Sequence, residues 1–195
     1  MKAEETILRL KEAFSDIGDD LKSPSPLRVF TPFLEPKRFE EVLIYAKDKL
    51  NYYRGLHIVG TDEGENLGFT YLVSNADGVI LAIREIVPKS NPHIRSMSDI
   101  YPAMLMHERE LVDLFGAEIE GLPEGPSYPL PDGWPKGQYP MRKEWNPKYF
   151  NKMTMTYEPP EEKATDTATA ANDNKDNAAK TAADEKSTAG GGVSK

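Results

Sequence analysis

Residues 56–87 read LHIVGTDEGENLGFTYLVSNADGVILAIREIV. Three runs rich in β-branched and aromatic residues, LHIVGTDE, NLGFTYLVSN and GVILAIREIV, are separated by the Gly-, Asp- and Asn-bearing turns EGEN and ADG. A period of two between short turns predicts consecutive strands joined as an antiparallel meander. Upstream the period is helical. Ile7, Leu10, Phe14 and Ile17 recur at helical spacing, predicting an amphipathic helix over residues 4–17 that Gly18 ends. Phe39, Val42, Leu43, Ala46 and Leu50 mark a second helix over about 36–51, with Pro36 in its first turn. Between them SPSPLRVFTPF reads as an extended crossover. Two helices followed by three consecutive strands define an α+β domain, helices packed on an antiparallel sheet.

After the strands, PKSNPHIR reads as a loop, and Ser96-Met97-Ser98-Asp99 offers a capping pattern for a further helix. Pro102 interrupts that helix, which restarts near Ala103 and stops at Gly116, a residue suited to a left-handed helix end. Seven prolines then fall between residues 123 and 147, with Trp134 and Trp145 among them. Prolines at that density exclude helices and sheet interiors, and they predict an extended arm that lies on another surface. From Glu161 the chain has no aromatic residue and a single branched aliphatic, Val193. Such a segment has too little to bury to offset its own ordering entropy. The expected organisation is therefore an α+β domain over 1–121, a docking arm over 122–160 and a disordered tail over 161–195.

The chain has 195 residues, 38% of them apolar, and a net charge of −8. That composition suits one soluble globular domain with an appendage. The net negative charge argues against nucleic acid, which needs basic stripes that displace counterions from phosphates. Cysteine is absent, which removes disulfides, thiolate nucleophiles and every cysteine-ligated iron–sulfur cluster from this chain. No apolar run reaches the length of a membrane span, and MKAEETILRLKEAF lacks the features of a signal peptide, so the cytoplasm is the expected compartment.

The charged knot HERELVD, residues 107–113, is the densest concentration of chemistry-bearing side chains. It is not a zincin motif, because Leu111 stands where the second imidazole belongs, and His57 and His93 lie far away in the sequence. Glu108 and Glu110, two apart on a helix, point about 200° away from each other and cannot form a hydrolytic dyad. GTDEGENLG lacks the Lys-Ser/Thr of a phosphate loop and reads as a hairpin turn. The bland alternative for HERELVD is a solvated helix face with an Arg109–Asp113 pair. Against it, Glu108 falls on the apolar stripe of Met104, Leu111 and Phe115, where an unpaired carboxylate is costly. Glu108 therefore needs a partner, expected from the Arg142-Lys143 pair or from another chain.

Glu108-Arg109-Glu110, Asp113-Leu114-Phe115-Gly116, Gly121, Pro123, Leu130-Pro131-Asp132-Gly133-Trp134-Pro135 and Pro140-Met141-Arg142-Lys143-Glu144 together resemble the signature of the 30 kDa subunit family of respiratory complex I, the membrane-bound NADH dehydrogenase. The resemblance covers residues 95–147 closely and the β-rich half by pattern. Leu122 stands where that family usually has His, and Gly125-Pro126-Ser127-Tyr128 replaces an arginine pair. Met141 and Glu144 replace the common Leu and Asp. The arm EGPSYPLPDGWPKGQYPMRKEW is more similar to the version in membrane-bound, energy-converting hydrogenases and sulfur-reducing complexes.

The resemblance implies a cofactor-free structural subunit in the peripheral arm of an ion-translocating membrane oxidoreductase, on the cytoplasmic side of the membrane. Its implied partners are a hydrogenase-like or quinone-type large catalytic subunit and iron–sulfur subunits, with the membrane arm reached indirectly. Iron–sulfur clusters and a nickel–iron or related site are then expected in those partners and none in this chain. Glu108, Arg109, Glu110, Asp113, Trp134, Tyr139, Arg142, Lys143 and Trp145 are the implied interface residues. The alternatives are the 30 kDa subunit of a quinone-reducing NADH dehydrogenase-type complex, a soluble assembly factor, and a free-standing enzyme. The last would need convergent acid–base or nucleophilic groups, and the sequence offers only isolated His and Glu.

Overall fold

The computed structural model describes residues 1–160, so the expected tail over 161–195 lies outside the described residues. Helix α1 (Ala3–Ala13) is followed by the strands β1 (Lys22–Ser25) and β2 (Arg28–Leu34), helix α2 (Pro36–Leu50), and the strands β3 (Arg54–Asp62), β4 (Asn66–Ser74) and β5 (Ile80–Pro88). A short strand β6 (His93–Arg95), helix α3 (Leu105–Phe115) and β7 (Glu118–Glu120) come next, and two two-residue strands, β8 (Phe150–Asn151) and β9 (Thr156–Tyr157), close the described chain.

The predicted meander is present, with β3 antiparallel to β4 and β4 antiparallel to β5. The segment read as an extended crossover turns out to be part of the same sheet. β2 pairs in parallel with β5, and β1 pairs antiparallel with β2, giving five strands in the order β1-β2-β5-β4-β3. Pro24 is tolerated because β1 is an edge strand, and Pro32 sits where the β2–β5 register shifts between Phe30 and Phe33.

One sheet face carries the core. Alternate residues Leu67, Phe69, Tyr71 and Val73 of β4 and Leu81, Ile83 and Val87 of β5 are buried, and against them α2 buries the predicted stripe of Phe39, Val42, Leu43, Ala46 and Leu50. Each such aliphatic or aromatic burial contributes roughly 1.5–3 kcal/mol. Asn51 ends α2 in a left-handed conformation. Helix α1 is shorter than its periodicity predicts. It stops at Ala13, and Phe14 leaves the helical path to meet the Tyr45 ring edge-on at 5.3 Å under the Arg38 guanidinium. Ile17 is nevertheless buried.

Helix α3 begins after a 3-10 turn over Pro102–Met104 and ends at Gly116, which has φ +69°. The break at Pro102 and the left-handed stop therefore fall where the sequence places them. No helix starts at Ser96, whose hydroxyl has another use described below. The Phe115 ring packs on β3 over Gly60, where a Cβ would collide with it. This contact seats the C-terminal end of α3 against the sheet. β6 and β7 form a small parallel pair that ties the loop before α3 to the segment after it. No helix among the described residues is long and apolar enough to cross a membrane.

Candidate functional site

Met104, Glu108, Leu111 and Phe115 recur along one face of α3, and all four are buried. The Glu108 carboxylate is the polar member of that stripe. It accepts hydrogen bonds from the Ser96 hydroxyl and from the Met97 amide, each at 2.6 Å. Ser96 and Ser98 hydroxyls lie 2.7 Å apart beside it. Glu108 thus ties α3 to the loop before it, which is why Ser96 does not cap a helix. Burial pushes the Glu108 carboxyl up, partly offset by the two hydrogen bonds.

The expected Glu108–Arg142 pair does not form. Arg142 donates its Nε–H to the Phe115 carbonyl at 2.7 Å and lays its guanidinium over the Tyr139 ring at 4.5 Å. It is a C-terminal helix cap supplied from the arm, satisfying a carbonyl that α3 leaves open. The Met141 amide donates to the Leu114 carbonyl at 3.1 Å, and the Tyr139 ring occupies the space above Gly116.

The remaining charges of HERELVD also hold the arm. Arg109 donates from its two terminal nitrogens to the carbonyls of Pro123, Glu124 and Pro126 at 3.0–3.2 Å. Asp113 accepts from the Leu130 amide at 3.3 Å. Arg109 and Asp113 therefore do not form the i,i+4 pair of a plain solvated helix. Glu110 lies 3.5 Å from Nδ1 of His107, and that nitrogen is 3.1 Å from Nδ1 of His57 on β3. Two histidines fifty residues apart are brought together here, a convergence with no signal in local sequence spacing.

Farther along the arm, the Lys143 amide donates to Asp62 Oδ2 at 2.8 Å, and Lys89 Nζ bridges Asp62 at 2.6 Å and Glu144 at 3.0 Å. Burial raises the Asp62 carboxyl, but the Lys89 ammonium and the amides of Lys143 and Gly64 outweigh it and hold the group down at about 2. The Trp134 indole N–H donates to the Gln138 carbonyl at 2.7 Å. The Trp134 ring centroid lies 4.6 Å from that of Phe150, and Trp145 stacks on Tyr157 at 5.7 Å. Trp134 and Trp145, two of the three aromatics expected at an interface, are half-buried in a cluster within the C-terminal segment, whereas Tyr139 lies over Gly116 under Arg142.

Two buried polar groups lie behind α3. Glu85 occupies the core face of β5, on the same alternation as Leu81, Ile83 and Val87, and that alternation is a sequence signal sufficient to place it inside. Burial, with the charges of Glu108 and Glu40, raises its carboxyl to about 8. Burial, with the charges of Glu108 and Glu85, pushes the Tyr71 hydroxyl well above its usual range. The Tyr71 hydroxyl and Glu85 Oε2 have no partner in hydrogen-bonding geometry among the described residues.

Chemically, the arrangement is a strap. Glu108, Arg109, Asp113 and Arg142 are engaged with backbone groups of their own chain, and among the described residues no three His, Asp or Glu side chains come together in a way that would hold a metal ion.

Residues 33–151, from β2 through the arm to β8, match the family described as respiratory-chain NADH dehydrogenase, 30 Kd subunit. The chain belongs to this 30 kDa subunit family. Its members are subunits of a multi-subunit respiratory oxidoreductase. A chain of the membrane-bound sulfane sulfur reductase, an archaeal respiratory membrane complex, shares the fold of this 30 kDa-type subunit with a TM-score of 0.65. The two are 21% identical, over 82% of this chain and 97% of the other. The trypsin-resistant 1–134 fragment of Nqo5 superposes with a TM-score of 0.51 at 23% identity, over 63% of this chain and 98% of the fragment. No curated protein matches the chain.

Proposed function

We propose that this 30 kDa-type chain is a cofactor-free structural subunit of the peripheral arm of a complex I-like, ion-translocating membrane oxidoreductase of the sulfur-reducing or membrane-bound hydrogenase type. It packs against the large catalytic subunit on the cytoplasmic side of the membrane and supports electron transfer by holding that subunit to its iron–sulfur neighbours. Electrons run through the neighbours, which carry the clusters and the catalytic metal.

The observation that carries the reading is the family match, which spans the sheet, α3 and the arm together. The chain's own chemistry supports it. Glu108, Arg109, Asp113 and Arg142 act as fasteners, and the sequence has no cysteine to ligate a cluster. The branch is supported by Leu122 and the Gly125-Pro126-Ser127-Tyr128 stretch in the arm, and by a fold likeness to the sulfane sulfur reductase chain that extends over 82% of this sequence.

An affinity tag on this chain, followed by gentle detergent extraction of membranes, tests the reading. The expected outcome is co-purification with a hydrogenase-like large subunit and iron–sulfur subunits, with all metal in the partners. Recovery of the chain alone from the soluble fraction would leave an assembly factor as the better reading, and a partner set that reduces quinone from NADH would move it to the NADH dehydrogenase branch.

A further inference from the structure

The sheet has a second face. Opposite the core, β2, β5, β4 and β3 present Phe30, Phe33, Leu72 and Val59 around a groove of about 740 Å³, with Arg28 and Arg84 on the same face. Phe33 and Val59 are exposed, at 37% and 40%. No helix of the described residues lines this groove. An open sheet face with this much aromatic and aliphatic surface marks an interaction site.

The charges on the face give the chemistry of what covers it. The Arg84 guanidinium is anchored at one end, donating Nε–H to the Thr31 carbonyl at 2.6 Å, and it lies over the Phe33 ring at 4.6 Å. Neither Arg84 nor Arg28 has a carboxylate within ion-pair distance among the described residues, although the protein as a whole is strongly acidic. Glu63 is the one acid lining the groove. The face therefore offers two unpaired guanidinium groups over an apolar floor, a pattern that pairs with carboxylates in planar, bidentate fashion.

We infer that this face docks a segment of a neighbouring protein subunit that presents apolar side chains together with at least one Asp or Glu aimed at Arg84 and Arg28. The inference rests on the proposed membership of a membrane complex and specifies a surface of contact within it. A second copy of this chain is a poor occupant, since a two-fold contact would set four guanidinium groups against two Glu63 carboxylates. The tail over 161–195 is a poor occupant too, because by composition it has one branched aliphatic residue and no aromatic with which to cover the floor. An acyl chain is a poor occupant as well, because it would bury the Glu63 carboxylate and the Thr70 hydroxyl against hydrocarbon with nothing to replace their water.

The test uses the full chain in its complex. A photo-crosslinking amino acid is placed at Val59 and, separately, at Leu72, with Leu8 on α1, exposed at 57%, as the comparison site. Crosslinks from Val59 and Leu72 are expected to land on one segment of another subunit that contains an acidic residue. Arg28→Glu is expected to reduce the chain retained in the purified complex at least tenfold, with rescue when the crosslinked acid is changed to Lys, and to leave the melting of the isolated chain unchanged. Arg84→Gln, which keeps a donor toward Thr31, should act in the same direction. Crosslinks to a second copy, to residues 161–195 or to lipid would overturn the inference, as would full retention of Arg28→Glu. If the wild-type chain joins the complex but its sheet face crosslinks to nothing, the docking surface fails and the subunit reading stands. If the wild-type chain joins no complex, both fail.

Discussion

The Arg109 guanidinium fills the space that a side chain at Gly125 would need. This single relationship explains why a small residue follows Glu124 in a segment otherwise rich in proline. The arm passes so close to α3 that one guanidinium can bind three of its carbonyls. Gly125→Val should displace Arg109 and free the start of the arm, and Arg109→Lys, with one point charge in place of a planar fork, should reproduce part of that effect. Limited proteolysis across residues 122–130 should accelerate in both variants, with a loss of about 1–2 kcal/mol in chemical denaturation. An unchanged cleavage pattern in Gly125→Val would show that the strap does not depend on this contact.

Helix α3 and the three long strands are legible because their signals are local: a stripe at 3.6 residues, a left-handed stop at Gly116, and alternation between turn residues. β2 is not legible. Its partner β5 lies about fifty residues later in parallel register, and its Pro32 argues against a strand until the register shift that accommodates it is known. At the site, the position of Glu108 on a buried stripe is readable but its partner is not. Ser96 has two competing local readings, a helix cap or a side-chain donor, and only the packing of α3 selects the second. The cation sought for Glu108 follows from treating a buried carboxylate as needing a counter-charge, whereas two short hydrogen bonds serve instead.

Glu85 makes stability depend on pH. Its carboxyl sits at about 8 in the folded chain against an ordinary 4.5, so between those values the folded state holds a proton that the unfolded state has released. Stability is then fully present below about 4.5 and falls as pH rises through 8. Glu85→Gln mimics the protonated form. It should raise the melting temperature at about pH 8, have little effect near pH 5 and flatten the slope between them. Glu108, also raised by burial, contributes to the slope that remains. Parallel pH–melting curves for wild type and Glu85→Gln would rule out a protonated Glu85.

Asp62 works in the opposite direction. Its carboxyl is held at about 2 by Lys89 and two amides, below an ordinary 3.8, so its contribution is present above 3.8 and disappears as pH falls through 2. Asp62→Asn should lower stability at neutral pH by about 1–3 kcal/mol, by weakening the joint of Lys89 with the Lys143 turn. The gap between variant and wild type should close on acidification below about pH 3. Denaturant titrations of both proteins at neutral and acid pH measure that gap directly, and a constant gap would mean that the Asp62 charge is not what holds the joint.

Glu108 and Arg142 flank opposite ends of α3 and share no partner: one accepts from Ser96 and Met97 before the helix, and the other donates to Phe115 at its end. Groups without shared partners lose stability additively, within about 0.5 kcal/mol. Glu108→Leu leaves the Met97 amide without an acceptor in the core, while the Ser96 hydroxyl can turn to Ser98, and should cost about 1–3 kcal/mol. Glu108→Gln keeps a carbonyl for Met97, and the Ser96 hydroxyl can turn to accept from the new amide, so its cost should be nearer ~1 kcal/mol. Arg142→Met uncovers the Phe115 carbonyl and the Tyr139 face, at about 1–2 kcal/mol. Melting of the isolated chain should register each loss, because the contacts are internal to it. The double variant Glu108→Leu/Arg142→Met should then equal the sum of its singles. A coupling energy above about 1 kcal/mol would mean that the two side chains meet directly in solution. Glu108 would then be paired with a cation and not satisfied by the loop before α3.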